Sequence, residues 1–173
     1  MNTKNLNERA ELVTKVILAT EELYHQGGLT NGQLGLLQTL IGAAIWYLPN
    51  DNKMLFTGKV SKALLEALES GKTEVKATEE HYLPRKISAA KLYEKHVADL
   101  KNDPENALKA LYLEQFGKFN LVLKKENDQL KKHQKIEVFE NPETAYAKAG
   151  IELVDLTPAM VAKHNIFKKY VNN

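Results

Sequence analysis

The chain has 173 residues, 43% of them apolar and 27% charged, with nine Gly and five Pro, a composition that can bury a core and that excludes disordered and fibrous classes. Its 24 Lys and Arg against 22 Asp and Glu leave a net charge of only +2, too little to mark a general polyanion binder. Zero cysteine excludes a disulfide framework, a thiolate zinc site and a thiol nucleophile, so any metal must be held by oxygen or imidazole.

The first residues, MNTKNLNERAELV, lack the charged-then-apolar order of a secretion signal. The longest apolar run, Leu34 to Leu48, is broken by Gly35, Gln38, Thr39 and Gly42 and falls short of the roughly 20 residues of a membrane span. Both features predict a soluble, cytoplasmic protein with no membrane partner. Residues 8–25 carry Leu12, Val13, Val16, Ile17, Leu23 and Tyr24 at helical spacing and stop at Gly27-Gly28. A second helix is expected from an N-cap at Thr30 or Asn31 to Leu48, before Pro49-Asn50-Asp51-Asn52; its Gly35 and Gly42 allow another helix to come close. Together they read as an αα-hairpin.

Lys53–Thr57 is expected as a short strand, Val60 to Leu68 as a helix, and residues 73–83 as a strand running into a loop at Pro84. A helix from about Ser88 to Leu100 follows, with His96 on its apolar face as a core histidine. Asp103-Pro104 opens another that runs to about Gln115 and stops at Gly117. Phe119–Leu123 alternates as a strand, and the charged stretch after it reads as a helix. The tail offers a short helix at Pro142–Ala149, a strand at Ile151–Leu156 and a last helix from Thr157-Pro158. The expected fold class is α+β, mostly helical. Its organisation is expected as a helical region 1–71, a core 72–137 with a helical insertion at about 86–117, and a C-terminal α/β extension 138–173.

One constellation carries chemistry. Glu80 beside His81 pairs a group that can hold a hard divalent cation with one that, neutral near pH 7, accepts a proton from water. Neighbours on a strand point to opposite faces, so β structure must end or bend at His81 for both to serve one site, and Pro84 makes such an ending natural. From Arg85 to Lys135 there are twelve Lys and Arg against seven Asp and Glu, so the basic surplus lies around this constellation. Arg85, Lys86, Lys118, Lys124, Lys125, Lys131 and Lys132 are the candidates for neutralising backbone phosphates, and Tyr82 for stacking on or touching the substrate.

Glu80-His81-Tyr82-Leu83-Pro84, then Phe119-Asn120-Leu121-Val122-Leu123, then Glu126-Asn127-Asp128-Gln129-Leu130-Lys131 resemble the HNH endonucleases of the His-Me finger (ββα-metal) superfamily. The resemblance covers about sixty residues. It implies an embedded ββα-metal motif, with His81 as general base, Glu80 as metal ligand, Asn120 as the residue that positions the histidine loop and Asn127 as the helix ligand, with Asp128 and His133 as alternatives for that last role. It further implies one Mg²⁺ or Mn²⁺ and a DNA substrate, RNA being the alternative, with a homodimer possible where both strands are cut. Two other readings stand beside it: a nucleic-acid-binding module that uses the basic 118–135 segment without cleavage, and an oligomeric assembly protein built on the N-terminal helices with Trp46. In the bland reading Asn127 is an N-cap, Asn120 a polar residue of an edge strand, and the lysines a solvated helix face.

Overall fold

The computed structural model describes residues 3–49, 55–71 and 74–171. In chain order its elements are α1 (Thr3–His25), α2 (Asn31–Trp46), β1 (Phe56–Ser61), α3 (Lys62–Glu69), β2 (Ala77–His81), α4 (Arg85–Lys95), α5 (Val97–Asn102), α6 (Ala107–Leu111), β3 (Phe119–Leu123), α7 (Lys124–Leu130), α8 (Pro142–Lys148), β4 (Leu153–Asp155), α9 (Pro158–Lys163) and α10 (Lys168–Val171). A π-helical turn, Tyr112–Phe116, extends α6. The protein is α+β and mostly helical, with one sheet of order β2-β3-β1-β4. β1 and β3 run parallel, and the β2–β3 and β1–β4 pairs are antiparallel. Among the described residues no helix is long and apolar enough to cross a membrane.

The chain divides into two compact units, each made of two separate stretches of sequence. Unit 1 is Met1–Asp51 with Leu83–Gly117, and unit 2 is Asn52–Tyr82 with Lys118–Asn173. This differs from the expected division into 1–71, 72–137 and 138–173. The helices of the expected insertion pack with the N-terminal pair, and β1 and α3, expected with that pair, belong to the sheet.

Unit 1 is held by helix contacts that specific residues make possible. The N-terminus of α2 carries a capping box: the Gln33 N–H donates to Thr30 Oγ1 at 3.3 Å, and the Thr30 N–H donates to Gln33 Oε1 at 2.9 Å. Its last turn has no basic residue of its own, and Arg9 of α1 supplies the cation by donating to the carbonyls of Tyr47 and Leu48 at 3.2 and 3.4 Å. α2 packs on α4 at Gly42, where a Cβ would sit 2.7 Å from the carbonyl carbon of Arg85. α4 offers buried Ala89 and Ala90, short side chains that suit a close crossing. Tyr93 of α4 then fastens α1: its hydroxyl lies 2.7 Å from that of Thr20, the ring stacks on Tyr24 at 4.2 Å, and its carbonyl lies 3.0 Å from His25 Nε2.

Two expected helices are broken by local chemistry. α4 and α5 are separated at His96, whose φ of −119° leaves the helical range. Its imidazole is partly exposed and its Nδ1 lies 3.0 Å from Asp99 Oδ2, so His96 marks a helix break and is not a core residue. After Asp103-Pro104 the chain makes a turn before it coils, because the Asp103 carboxylate accepts from the backbone N–H and the amide of Asn106. The helix starts at Ala107, widens into the π turn and ends at Gly117.

In unit 2 the first strand lies later than expected. Lys53 and Met54 of the expected strand fall outside the described residues, as does Thr73 of the next, and β1 runs to Ser61. Gly58, at φ +80°, sits where the β1–β3 register shifts, a left-handed conformation that favours glycine. Ser61 then caps α3 by accepting from the Leu64 N–H. Residues Phe119 to Val122 of β3 are all buried, since the strand is central and covered on both faces. Val122 packs with Leu130, Ala145, Tyr146 and Ile151 on one side. On the other, the Phe119 ring meets Phe56 at 5.7 Å and Tyr170 at 5.8 Å.

Gly42→Ala is expected to drive α2 and α4 apart and to lower stability by about 1–3 kcal/mol. Gly35→Ala, whose Cβ would meet only Lys86 Nζ at 3.7 Å, is expected to be neutral or to add up to about 1 kcal/mol through helix propensity. Urea denaturation of both variants checks the contrast; equal effects would remove Gly42 as the determinant of the packing.

Candidate functional site

β2 and β3 pair in register along their whole length, with Glu80 opposite Asn120 and His81 opposite Phe119. Glu80 and Asn120 therefore share one face of the sheet, and His81 and Phe119 share the other. The Tyr82 N–H donates to the Lys118 carbonyl at 3.0 Å, so the ladder continues past His81 and the end or bend expected there does not occur; Glu80 and His81 leave β2 on opposite faces. β3 passes without a loop into α7, which packs against both β2 and β3. The immediate start of α7 depends on Glu126. Its buried carboxylate accepts from the Leu123 N–H at 2.9 Å and from the Ser61 hydroxyl at 2.5 Å, tying the start of α7 to the cap of α3.

Glu80 and Asn120 belong to one buried hydrogen-bond network. The Tyr146 hydroxyl of α8 donates to Glu80 Oε2 and accepts from Asn120 Nδ2 at 2.8 Å. Gln134 Nε2 donates to Glu80 Oε1 at 2.6 Å, and the Thr57 hydroxyl of β1 donates to Asn120 Oδ1. Glu80 is 2% exposed and Asn120 1%. Burial pushes the Glu80 carboxyl up to about 8, with the hydrogen bond from Gln134 acting the other way. Near pH 7 it holds its proton more often than not.

The other candidates lie in different settings. His81 is the last residue of β2 and half-buried. Asn127 is the fourth residue of α7, partly buried, with its carbonyl accepting from the Lys131 N–H. It is inside the helix, so the N-cap role does not apply, and Leu123 holds that position. Asp128 is exposed and accepts from Lys124 at 3.0 Å and Lys131 at 2.6 Å, and these two lysines hold its carboxyl below the usual range. His133 lies in a 3-10 turn after α7. Lys125 and Lys132 are exposed and form no ion pair among the described residues. Arg85 and Lys86 are exposed at the start of α4 in unit 1. The Tyr82 hydroxyl donates to Glu143 at 2.6 Å, and that bond, with burial and the carboxylate charge, pushes it up to about 12.

Among the described residues no group of three or more His, Asp or Glu side chains converges as a metal would require of such ligands alone. The expected cation asks for less: one ionised carboxylate, an amide oxygen and water. Glu80 accepts two hydrogen bonds of the roughly four a carboxylate can take. It makes no ion pair among the described residues. The donor set fits a hard divalent cation in its chemistry once Glu80 gives up its proton. Tyr146, Gln134 and Thr57 are absent from the sequence reading. A tyrosine on the apolar face of a short helix reads as core, and nothing in the spacing links Gln134 to a residue 54 positions earlier.

The Glu80 carboxyl stays protonated in the fold up to about pH 8, whereas in the unfolded chain it ionises near 4.5. Unfolding therefore releases a proton across this window, and stability falls as pH rises through it, by at most about 1.4 kcal/mol per pH unit. Glu80→Gln is expected to flatten this decline and to be the more stable form at pH 8.5. Tyr146→Phe, which leaves Glu80 and Asn120 short of a partner, is expected to cost about 1–3 kcal/mol. Urea titrations at pH 5.5, 7 and 8.5 test both; parallel curves for wild type and Glu80→Gln would contradict the assignment.

Comparison of the chain with protein-family models, with curated proteins and with solved structures finds no match in any of the three.

Proposed function

We propose that the chain is a metal-dependent endonuclease that hydrolyses phosphodiester bonds of DNA, with unit 2 as its catalytic part. The observation that carries the reading is the order of parts. A strand ending in Glu80-His81 pairs antiparallel with a strand bearing Asn120, directly opposite Glu80, and the helix that follows without a loop carries Asn127 and packs on both strands. This is the order expected of a ββα-metal motif, and it arises although residues 82–118 separate the two strands in sequence.

His81 is the base that takes a proton from the attacking water. Its half-exposed place at the end of β2 suits a group that must meet solvent and substrate, although its side chain leaves the strand on the face opposite Glu80. Asn120, pinned by Thr57 and Tyr146, holds the end of β2 in register. Glu80 and Asn127 are the residues that would hold the cation, which supplies Lewis-acid neutralisation of charge on the leaving oxygen. Lys118, Lys124, Lys125, Lys131 and Lys132, on β3 and α7 and next to them, neutralise backbone phosphates. Lys124 and Lys131 share Asp128, so Lys125 and Lys132 contribute most.

A second reading, binding without cleavage, draws support from the burial and raised pKa of Glu80, which disfavour the ionised carboxylate a cation needs. One set of assays separates the two. With plasmid and linear DNA in Mg²⁺ or Mn²⁺, the endonuclease cuts, stops in EDTA, and loses about 10²- to 10⁴-fold in rate in His81→Ala. Retarded migration of DNA with no cleavage in any metal selects the binding reading, with affinity falling steeply as salt rises. Neither cleavage nor retardation removes both. Mn²⁺ is also expected to raise the melting temperature more at pH 8.5 than at pH 6.5, and not in Glu80→Gln, because the ligand must lose its proton.

A further inference from the structure

Unit 2 contains a cleft of about 500 Å³ between the sheet and α8, within the size range of small-ligand sites. Its floor is the network already described: Asn120 and Tyr146 line it, with Thr57 beside them. Ile151 and Leu153 contribute apolar surface to its lining, and Lys59 and Lys118 contribute cations. Lys59 is paired with Asp155 at 2.9 Å, while Lys118 makes no ion pair among the described residues. Glu143 also lines the cleft, its carboxylate held by the Tyr82 hydroxyl.

We propose that this cleft binds one nucleoside monophosphate unit, either as a free nucleotide or as an unpaired nucleotide of a strand. Three features of the lining match three parts of such a ligand. The Asn120 amide spends one N–H on Tyr146 and one acceptor position on Thr57. One N–H and one acceptor position remain, the donor and acceptor pair by which an Asn side chain reads a base edge. The amide is 1% exposed and fixed on both sides, so the pair lies at the bottom of the cleft and meets only a base edge seated against the floor. Ile151 and Leu153 give an apolar surface to the base face, and the Glu143 carboxylate has acceptor positions for ribose hydroxyls beyond the bond from Tyr82. Lys118, with Lys59 also in the lining, provides the charge for the phosphate. The inference goes beyond the endonuclease reading and does not require it.

The test uses the full chain carrying His81→Ala, so that no cleavage obscures binding. Calorimetric titration with the four 5′-ribomononucleotides, with adenosine alone and with inorganic phosphate is expected to show saturable one-site binding of at least one nucleotide. Adenosine and phosphate are expected to bind at least about tenfold more weakly. Ala147→Phe, which fills the cleft from an exposed position on α8, is expected to abolish binding, and Lys118→Ala to weaken it about tenfold. A single-stranded oligonucleotide that binds more tightly than its mononucleotide and loses that advantage in Ala147→Phe identifies the occupant as an unpaired nucleotide of a strand. Oligonucleotide binding indifferent to that variant identifies a free nucleotide. No saturable binding up to about 10 mM nucleotide, or binding unchanged in both Ala147→Phe and Lys118→Ala, overturns the proposal. DNA cleavage by the unmodified chain without nucleotide binding removes the cleft and leaves the endonuclease, and the converse result does the reverse.

Discussion

The cross-strand pair of Glu80 and Asn120, joined through the Tyr146 hydroxyl, is the constraint on which unit 2 depends. Polar groups at 1–2% exposure are costly unless they are hydrogen-bonded. Here the partners come from four places in the chain: Thr57 on β1, Asn120 on β3, Gln134 after α7 and Tyr146 on α8. A sheet with an apolar interior tolerates sliding of one strand by two residues; this one does not, because a slip would strand a carboxyl and an amide in the core. The network thus fixes the register that brings the end of β2 beside the start of β3. It also fixes α8 over the sheet, and with it the cleft whose floor the same side chains form.

Glu126 performs a related task six residues beyond Asn120. Glu80 faces neutral partners and keeps its proton. Glu126 accepts from the Ser61 hydroxyl, which caps α3, and from the Leu123 N–H at the start of α7. Two buried acids in one unit thereby receive different surroundings, one suited to hold a proton and one to order two helix starts. Unit 1 solves its own termination problem in the same way, with Arg9 standing in for the basic residue that α2 lacks.

The sequence made much of the local structure legible, and particular residues show where it stopped. Thr30, Gly117, Pro142 and Thr157-Pro158 act through local geometry and bonds within five residues, and all mark element ends in the structure. The alternation of Phe119 to Leu123 identifies a strand, but the burial of Val122 and Asn120 depends on α7 and α8 covering the second face. The α4–α5 break at His96 has no Gly or Pro to announce it, and the displacement of β1 turns on Gly58 adopting positive φ. In the site, Glu80, His81, Asn120 and Asn127 are legible as a pattern. Their placement on two faces of one sheet and the joining of two of them by Tyr146 are not, because these follow from register and from a helix 66 residues distant.

The chain passes from unit 2 to unit 1 between Tyr82 and Leu83 and returns between Gly117 and Lys118. During synthesis, the α1–α2 hairpin leaves the ribosome long before α4, the helix that covers Gly42, has been made. β1 likewise emerges well before β3, its partner on one side, and before β4, its partner on the other. Neither unit has a contiguous sequence that can fold to completion as it appears, so both acquire their non-local contacts late. The nascent protein therefore carries two unfinished surfaces at once, a helix pair missing its third member and a strand with both edges bare, until residue 117 closes the first and the C-terminal stretch closes the second.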